Sequence, residues 1–255
     1  MATDELLTYL FDGQPHLLAP PMARWLASSR RFTDFVTTFR PKIRKKLRAT
    51  QERESLRDLR LELETAYLLL QERSLSVVYE PPRCGGARCP DFAVTFTTSF
   101  VFMLEVTRQR PVSDRTLTLA QERPPATQTP TTARMCPRAG ERLGDTICSK
   151  LGQLLTQHSN VLVVGLDALC LTHDDLHTIM LRVQHRAERN DSSFLQRHRF
   201  QDRADFFRHY RRLSKVLLRG PQLQKDERVV GWVNPQAKRP LPTKVRTALY
   251  RSHTV

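Results

Sequence analysis

The sequence predicts an α/β fold with a central mixed sheet flanked by helices, and three observations carry that expectation. An apolar stripe at three- and four-residue spacing over 54–72 gives way to strand periodicity after Ser74. Two short apolar segments, DFAVTF and FVFMLEV, are separated only by Thr97–Ser99, which favours an antiparallel hairpin. A further helix then leads to NVLVVGL at 160–166, an apolar run of the length of a buried strand. Helices alternating with strands in this way belong on both faces of one sheet.

Taken in order, the first 50 residues read as a small helical lead-in. Phe32, Phe35, Phe39 and Ile43 recur at helical spacing, with Pro41 expected to interrupt them. The next helix carries Leu56, Leu59, Leu63, Ala66, Tyr67 and Leu70 inward. SLSVVYE is a strand and PPRCGGARCP a turn-rich connection before the hairpin. Residues 111–140, rich in Pro, Thr and Arg, read as a long mobile loop. A helix over 142–157 follows, then the buried strand. Asp174 is the expected cap of another helix, and a helix over 203–213 leads into a strand at 215–218. A strand near 229–233 and a helix from Thr243 close the chain. The organisation expected is a basic helical lead-in over 1–53 and an α/β domain over 54–255.

A chain of 255 residues, 40% hydrophobic, can bury a real core. It has no apolar run near the ~18 residues of a membrane span. The acidic start MATDELLTYLFDG lacks a signal-peptide layout, so a cytoplasmic location and no membrane partner are expected. Five cysteines do not make a disulfide framework; Cys84 and Cys89 alone resemble half of a zinc site, which needs four ligands.

Charge is the strongest compositional signal. Forty-one Lys and Arg against 26 Asp and Glu give +15 and a pI near 10.3, a surplus that attracts polyanions, nucleic acid above all. The plainer account is a solvated basic surface. Clustering favours a binding face instead: RPKIRKKLR at 40–48, with Lys42, Lys45 and Lys46 as contacts, then residues 208–219 and the C-terminal tail.

Two carboxylates stand where phosphodiester chemistry can use them. Asp91 opens the first hairpin strand and Glu105 lies near the end of the second. Antiparallel pairing can bring both to one end of the hairpin. Such a pair suits Mg²⁺ (or Mn²⁺), which takes one or two carboxylates and keeps several waters. The alternative for Glu105, set in the apolar run VFMLEV, is a strand-end acid paired with an arginine.

The motifs E-x-x-x-A at Glu62–Ala66, Tyr79–Glu80, PDF at Pro90–Phe92 and LEV at Leu104–Val106 resemble, in order and spacing, the core of the PD-(D/E)xK nuclease superfamily. The resemblance covers about residues 55–165. It implies a restriction-endonuclease-like core and nuclease activity, most readily on DNA. It also implies that Glu62 is the helix acid, with Asp91 and Glu105 as metal-binding carboxylates. Glu62 lies at the edge of its helix's apolar stripe, whereas Glu64 is expected to face solvent.

The chain departs from the motif at Thr107, which stands where the family has its lysine. Threonine cannot supply that positive charge. Lys150, the only lysine between Lys46 and Lys215, is the candidate replacement on the helix after the hairpin, with Gln153 on the same flank. Arg108 and Arg110 are candidate phosphate contacts through their planar forks. Two functions therefore stay open: a metal-dependent nuclease, or a catalytically degenerate nuclease-fold protein that binds nucleic acid or a protein partner.

Overall fold

The chain begins with α1 (Thr3–Phe11), α2 (Ala19–Ser28) and α3 (Arg30–Ala49), then α4 (Arg53–Leu69), in a computed structural model that describes residues 3–50, 52–82, 89–110, 137–167, 171–220 and 230–253. Ser29 caps α3 by accepting from the Phe32 amide. Pro41 does not interrupt α3, contrary to expectation. It is exposed, so the carbonyl one turn back that loses its amide partner lies on the solvent side of the helix.

Strands β1 (Leu75–Tyr79), β2 (Phe92–Phe96) and β3 (Phe100–Arg108) form an antiparallel meander. Helix α5 (Pro137–Leu151) then crosses to β4 (Ser159–Gly165), which pairs parallel to β3. The helices α6 (His173–Glu188), α7 (Ser192–Arg197) and α8 (Arg203–Tyr210) lead to β5 (Leu213–Arg219), again parallel. Strand β6 (Val230–Val233) is antiparallel to β5, and α9 (Thr243–His253) follows. The six strands stand in sequence order, β1 to β6, in one mixed sheet.

Every residue of β4 and β5 is buried, as strands covered on both faces must be. Val161, Val163 and Leu217 face a core built with α1–α4 and α9. Leu162, Val164, Val216 and Leu218 face a second core built with α5–α8. Period-two alternation thus divides each strand between two helical layers. Gly165 lets α4 approach the sheet: a Cβ there would stand 2.5 Å from Leu61 Cδ2. Leu61 immediately precedes Glu62, so this contact sets the depth at which that acid sits.

Several boundaries differ from the sequence reading. Helix α5 begins at Pro137 and ends at Leu151, so four residues assigned to the loop are helical; the rest of that loop, 111–136, lies outside the described residues. Thr172, not Asp174, caps α6, accepting from the Asp175 amide while Asp175 accepts from the Thr172 amide. The six-residue α7 was not foreseen; Asp191 caps it. Among the described residues no helix is long and apolar enough to cross a membrane.

Candidate active site

Asp91 lies just before β2, and its carbonyl accepts from the Glu80 amide at 2.8 Å, one step beyond the Tyr79–Phe92 pair. On its other side, Phe92 pairs with Leu104, so the register carried one step further sets Asp91 against Glu105. Glu80, Asp91 and Glu105 therefore stand side by side across three strands. Asp91 Oδ2 accepts from the Val106 amide at 2.7 Å, which ties the acid to β3.

Two lysines reach this row from different helices. Lys150, near the end of α5, donates to Glu105 Oε1 at 3.0 Å and to Gln153 Oε1 at 3.3 Å. Glu105 is 9% exposed and pairs with this ammonium. Lys46, from α3, lies 2.6 Å from Glu62 Oε1 and 2.8 Å from Glu80 Oε1, and sits over the Tyr79 ring at 4.9 Å. Its neighbour one turn earlier, Lys42, donates to the carbonyls of Tyr79 and Glu80 at 3.2 and 2.7 Å. Lys42 and Lys46 thus clamp the end of β1, whereas Lys45 is exposed.

Glu80 has φ +42°, a left-handed conformation uncommon for a residue with a side chain. Its amide, carbonyl and carboxylate are each bonded, to Asp91, Lys42 and Lys46, so the surroundings over-determine it. Glu80 was not assigned a role from sequence, and Lys46 was assigned a nucleic-acid contact rather than a place among the acids. The signals were the Tyr79–Glu80 motif and the four-residue spacing of Lys42 and Lys46.

Four carboxyls and three ammonium groups, Lys42 included, leave an excess of one negative charge if all ionise. Asp91 bears the consequence. Burial first, then the Glu105 and Glu62 carboxylates, push its carboxyl up to about 8, against the Val106 hydrogen bond and Lys46. Some of its surface still opens to solvent, although protein surrounds most of it. Burial also raises the Glu62 carboxyl, against the pull of Lys46. Burial disfavours the Lys46 charge, but Glu62 and Glu80 outweigh it and its pKa rises.

The sign follows from linkage. Asp91 holds its proton in the folded state over a range where the unfolded chain has lost it, so its contribution to stability is present at acid pH and lost as pH rises towards about 8. We expect Asp91→Asn, which keeps an acceptor for the Val106 amide, to melt about 2–4 °C above the wild type near pH 8 for each kcal/mol relieved. The gain should vanish near pH 4. Melts across that range check it; a gain independent of pH would show that Asp91 is not the titrating group.

The arginines divide. Arg108 has a side chain only 6% exposed, held by Glu54, by Asp58 at 3.0 Å and by Asp167 at 2.9 Å. It ties α4 to the ends of β3 and β4, and its fork is occupied. Arg110 is exposed and pairs with Asp58 at 2.7 Å. With Thr107, Arg142 and Ser149 it lines an open groove running from Glu105's strand along α5. Glu64 does not face solvent: it pairs at 3.3 Å with Arg219, a buried residue of β5. Cys84 lies outside the described residues, and Cys89 has no disulfide partner among them.

Among the described residues no group of three or more His, Cys, Asp or Glu is placed to hold a metal ion. The donor set that fits a hard divalent cation is smaller, Asp91 and Glu105, two oxygen donors whose mutual repulsion such a cation would relieve. No family model, curated protein or solved structure matches this chain.

Proposed function

We propose that the chain is a divalent-metal-dependent nuclease of the PD-(D/E)xK type that hydrolyses phosphodiester bonds, of DNA in preference to RNA. The observation that carries this reading is Lys150, whose ammonium stands 3.0 Å from Glu105 in the row that holds Asp91. Supporting it is the succession of α4, the β1–β3 meander, α5 and parallel β4. That succession suits the helix-plus-mixed-sheet, restriction-endonuclease-like core implied by the motifs.

Asp91 and Glu105 are the residues to hold Mg²⁺ or Mn²⁺. When bound, the cation supplies Lewis acidity towards the scissile phosphate and eases deprotonation of water. Lys150 orients the attacking water and offsets charge gathering on the phosphate, with Gln153 fixing the ammonium. Lys46 holds Glu62 and Glu80 in place behind Asp91. Arg110, Arg142 and the exposed Lys45 are suited to phosphate contacts, whereas Arg108 acts as a strut.

The second reading, a degenerate site that binds without cleaving, rests on Thr107. Thr107→Lys separates the two. If Lys150 has taken the motif lysine's role, the variant should cleave labelled DNA no faster than the wild type, and a second ammonium beside Glu105 should weaken Mn²⁺ binding. A silent wild type that gains cleavage with Thr107→Lys would establish the degenerate reading.

A further inference from the structure

The basic stretch at 208–219 is split by the fold. Arg219 turns inward to Glu64. Arg208, Arg211 and Arg212, at the end of α8, instead line a groove with Lys238 and Arg239, from the segment after β6, and His158, from the turn before β4. Among the described residues no carboxylate lines this groove. Asp205, on the same helix, pairs with Arg208 at 3.3 Å.

The groove is built on pinned backbone. The Lys238 amide donates to the Arg211 carbonyl at 2.8 Å, and Ser214 Oγ donates to the Arg239 carbonyl at 2.7 Å. Asn234 Nδ2 donates to the carbonyls of Tyr210 and Leu213 at 3.0 and 2.8 Å. Arg212 donates to the Leu154 carbonyl at 3.3 Å. Burial, then the Arg208 charge, lower the Arg212 pKa, as crowding of like charges must. An anion in the groove relieves that crowding.

The same turn connects groove and site. It leaves α5 after Leu151, beside Lys150, carries Gln153 and the Leu154 carbonyl that Arg212 binds, and ends at His158. Asn160 staples it, bonding Leu155, His158 and the Arg212 carbonyl. Among the described residues lining the groove, His158 is the only one with a ring for base stacking.

We infer that this groove binds the sugar-phosphate backbone of a nucleic acid, positioning it without reading its sequence. The identity of the polyanion rests on the nuclease reading; the groove's preference for phosphate does not. Each phosphate contact contributes about 0.9 to the slope of log affinity against log salt on duplex DNA.

The test uses the full chain, a labelled DNA duplex and EDTA, so that cleavage does not enter. Arg211→Gln, Lys238→Gln and Arg239→Gln combined, all at exposed positions, should make the salt slope shallower by about 2–3. Arg24→Gln, Arg73→Gln and Arg182→Gln combined remove equal charge at exposed positions outside the groove and should change it little. The lysine variant Arg211→Lys with Arg239→Lys should restore the wild-type slope. Equal changes in both triple variants, or none in either, overturn the proposal. So does loss of poly-glutamate binding with duplex binding intact, which would assign the groove to an acidic protein. A shallower slope in a chain that never cleaves would sink the nuclease reading alone, and active cleavage with an unchanged slope would sink the groove alone.

Discussion

Replacing Lys150 by alanine should lower metal-dependent cleavage of labelled DNA by about 10²–10³-fold, the usual cost of removing one preorganised charge from a reacting centre. DNA affinity stays close to the wild type, because one contact among many changes polyanion binding little. The variant also removes an ammonium that stands 3.0 Å from Glu105. Mn²⁺ should then bind more tightly, since a positive charge beside the Asp91–Glu105 pair has been lost. A lysine that did not face these carboxylates would not move metal affinity in that direction. Unchanged cleavage by Lys150→Ala would remove it from the mechanism and leave the carboxylates standing.

Asp91→Ala should lose cleavage by at least the same factor and, unlike the lysine variant, should lose divalent binding as well. In the proposed site Asp91 would supply an oxygen donor, whereas Lys150 would compete with the cation for Glu105. The Val106 amide also loses its acceptor, at a cost of about 1–3 kcal/mol, partly offset by relief of the carboxylate crowding. Titration calorimetry with Mn²⁺ reads the binding loss directly. Binding should also strengthen as pH rises towards 8 in the wild type, because Asp91 must give up its proton to act as a ligand. Wild-type binding independent of pH between 6 and 8 would place the metal elsewhere.

Much of this site was legible because its geometry is local. Only three residues separate β2 from β3, so a hairpin was forced, and alternation then set Asp91 against Glu105. Lys150 stood out as the one lysine in a long arginine-rich stretch, and its helix is the crossover between β3 and β4.

What stayed hidden depends on pairings distant in sequence. Periodicity placed Glu62 and Glu64 on α4 but does not say that Lys46 waits opposite one and Arg219 opposite the other. Clustered charge made Lys46 a nucleic-acid contact, and its planar fork made Arg108 a phosphate contact. In the fold Lys46 lies among carboxylates and Arg108 among three acids from α4 and the end of β4. The role of Glu80 depends on a left-handed backbone that no propensity at that position suggests. The α6 cap went to Thr172 because its hydroxyl and Asp175 satisfy each other's amides, a reciprocity Asp174 lacks.

The most direct test incubates labelled single-stranded and duplex DNA with the wild type and with Asp91→Asn, purified identically, in Mg²⁺, in Mn²⁺ and in EDTA. The account predicts cleavage products from the wild type with either metal, none in EDTA, and a loss of about 10²-fold or more in Asp91→Asn. Equal products from both proteins, or none from the wild type with either metal, would contradict it.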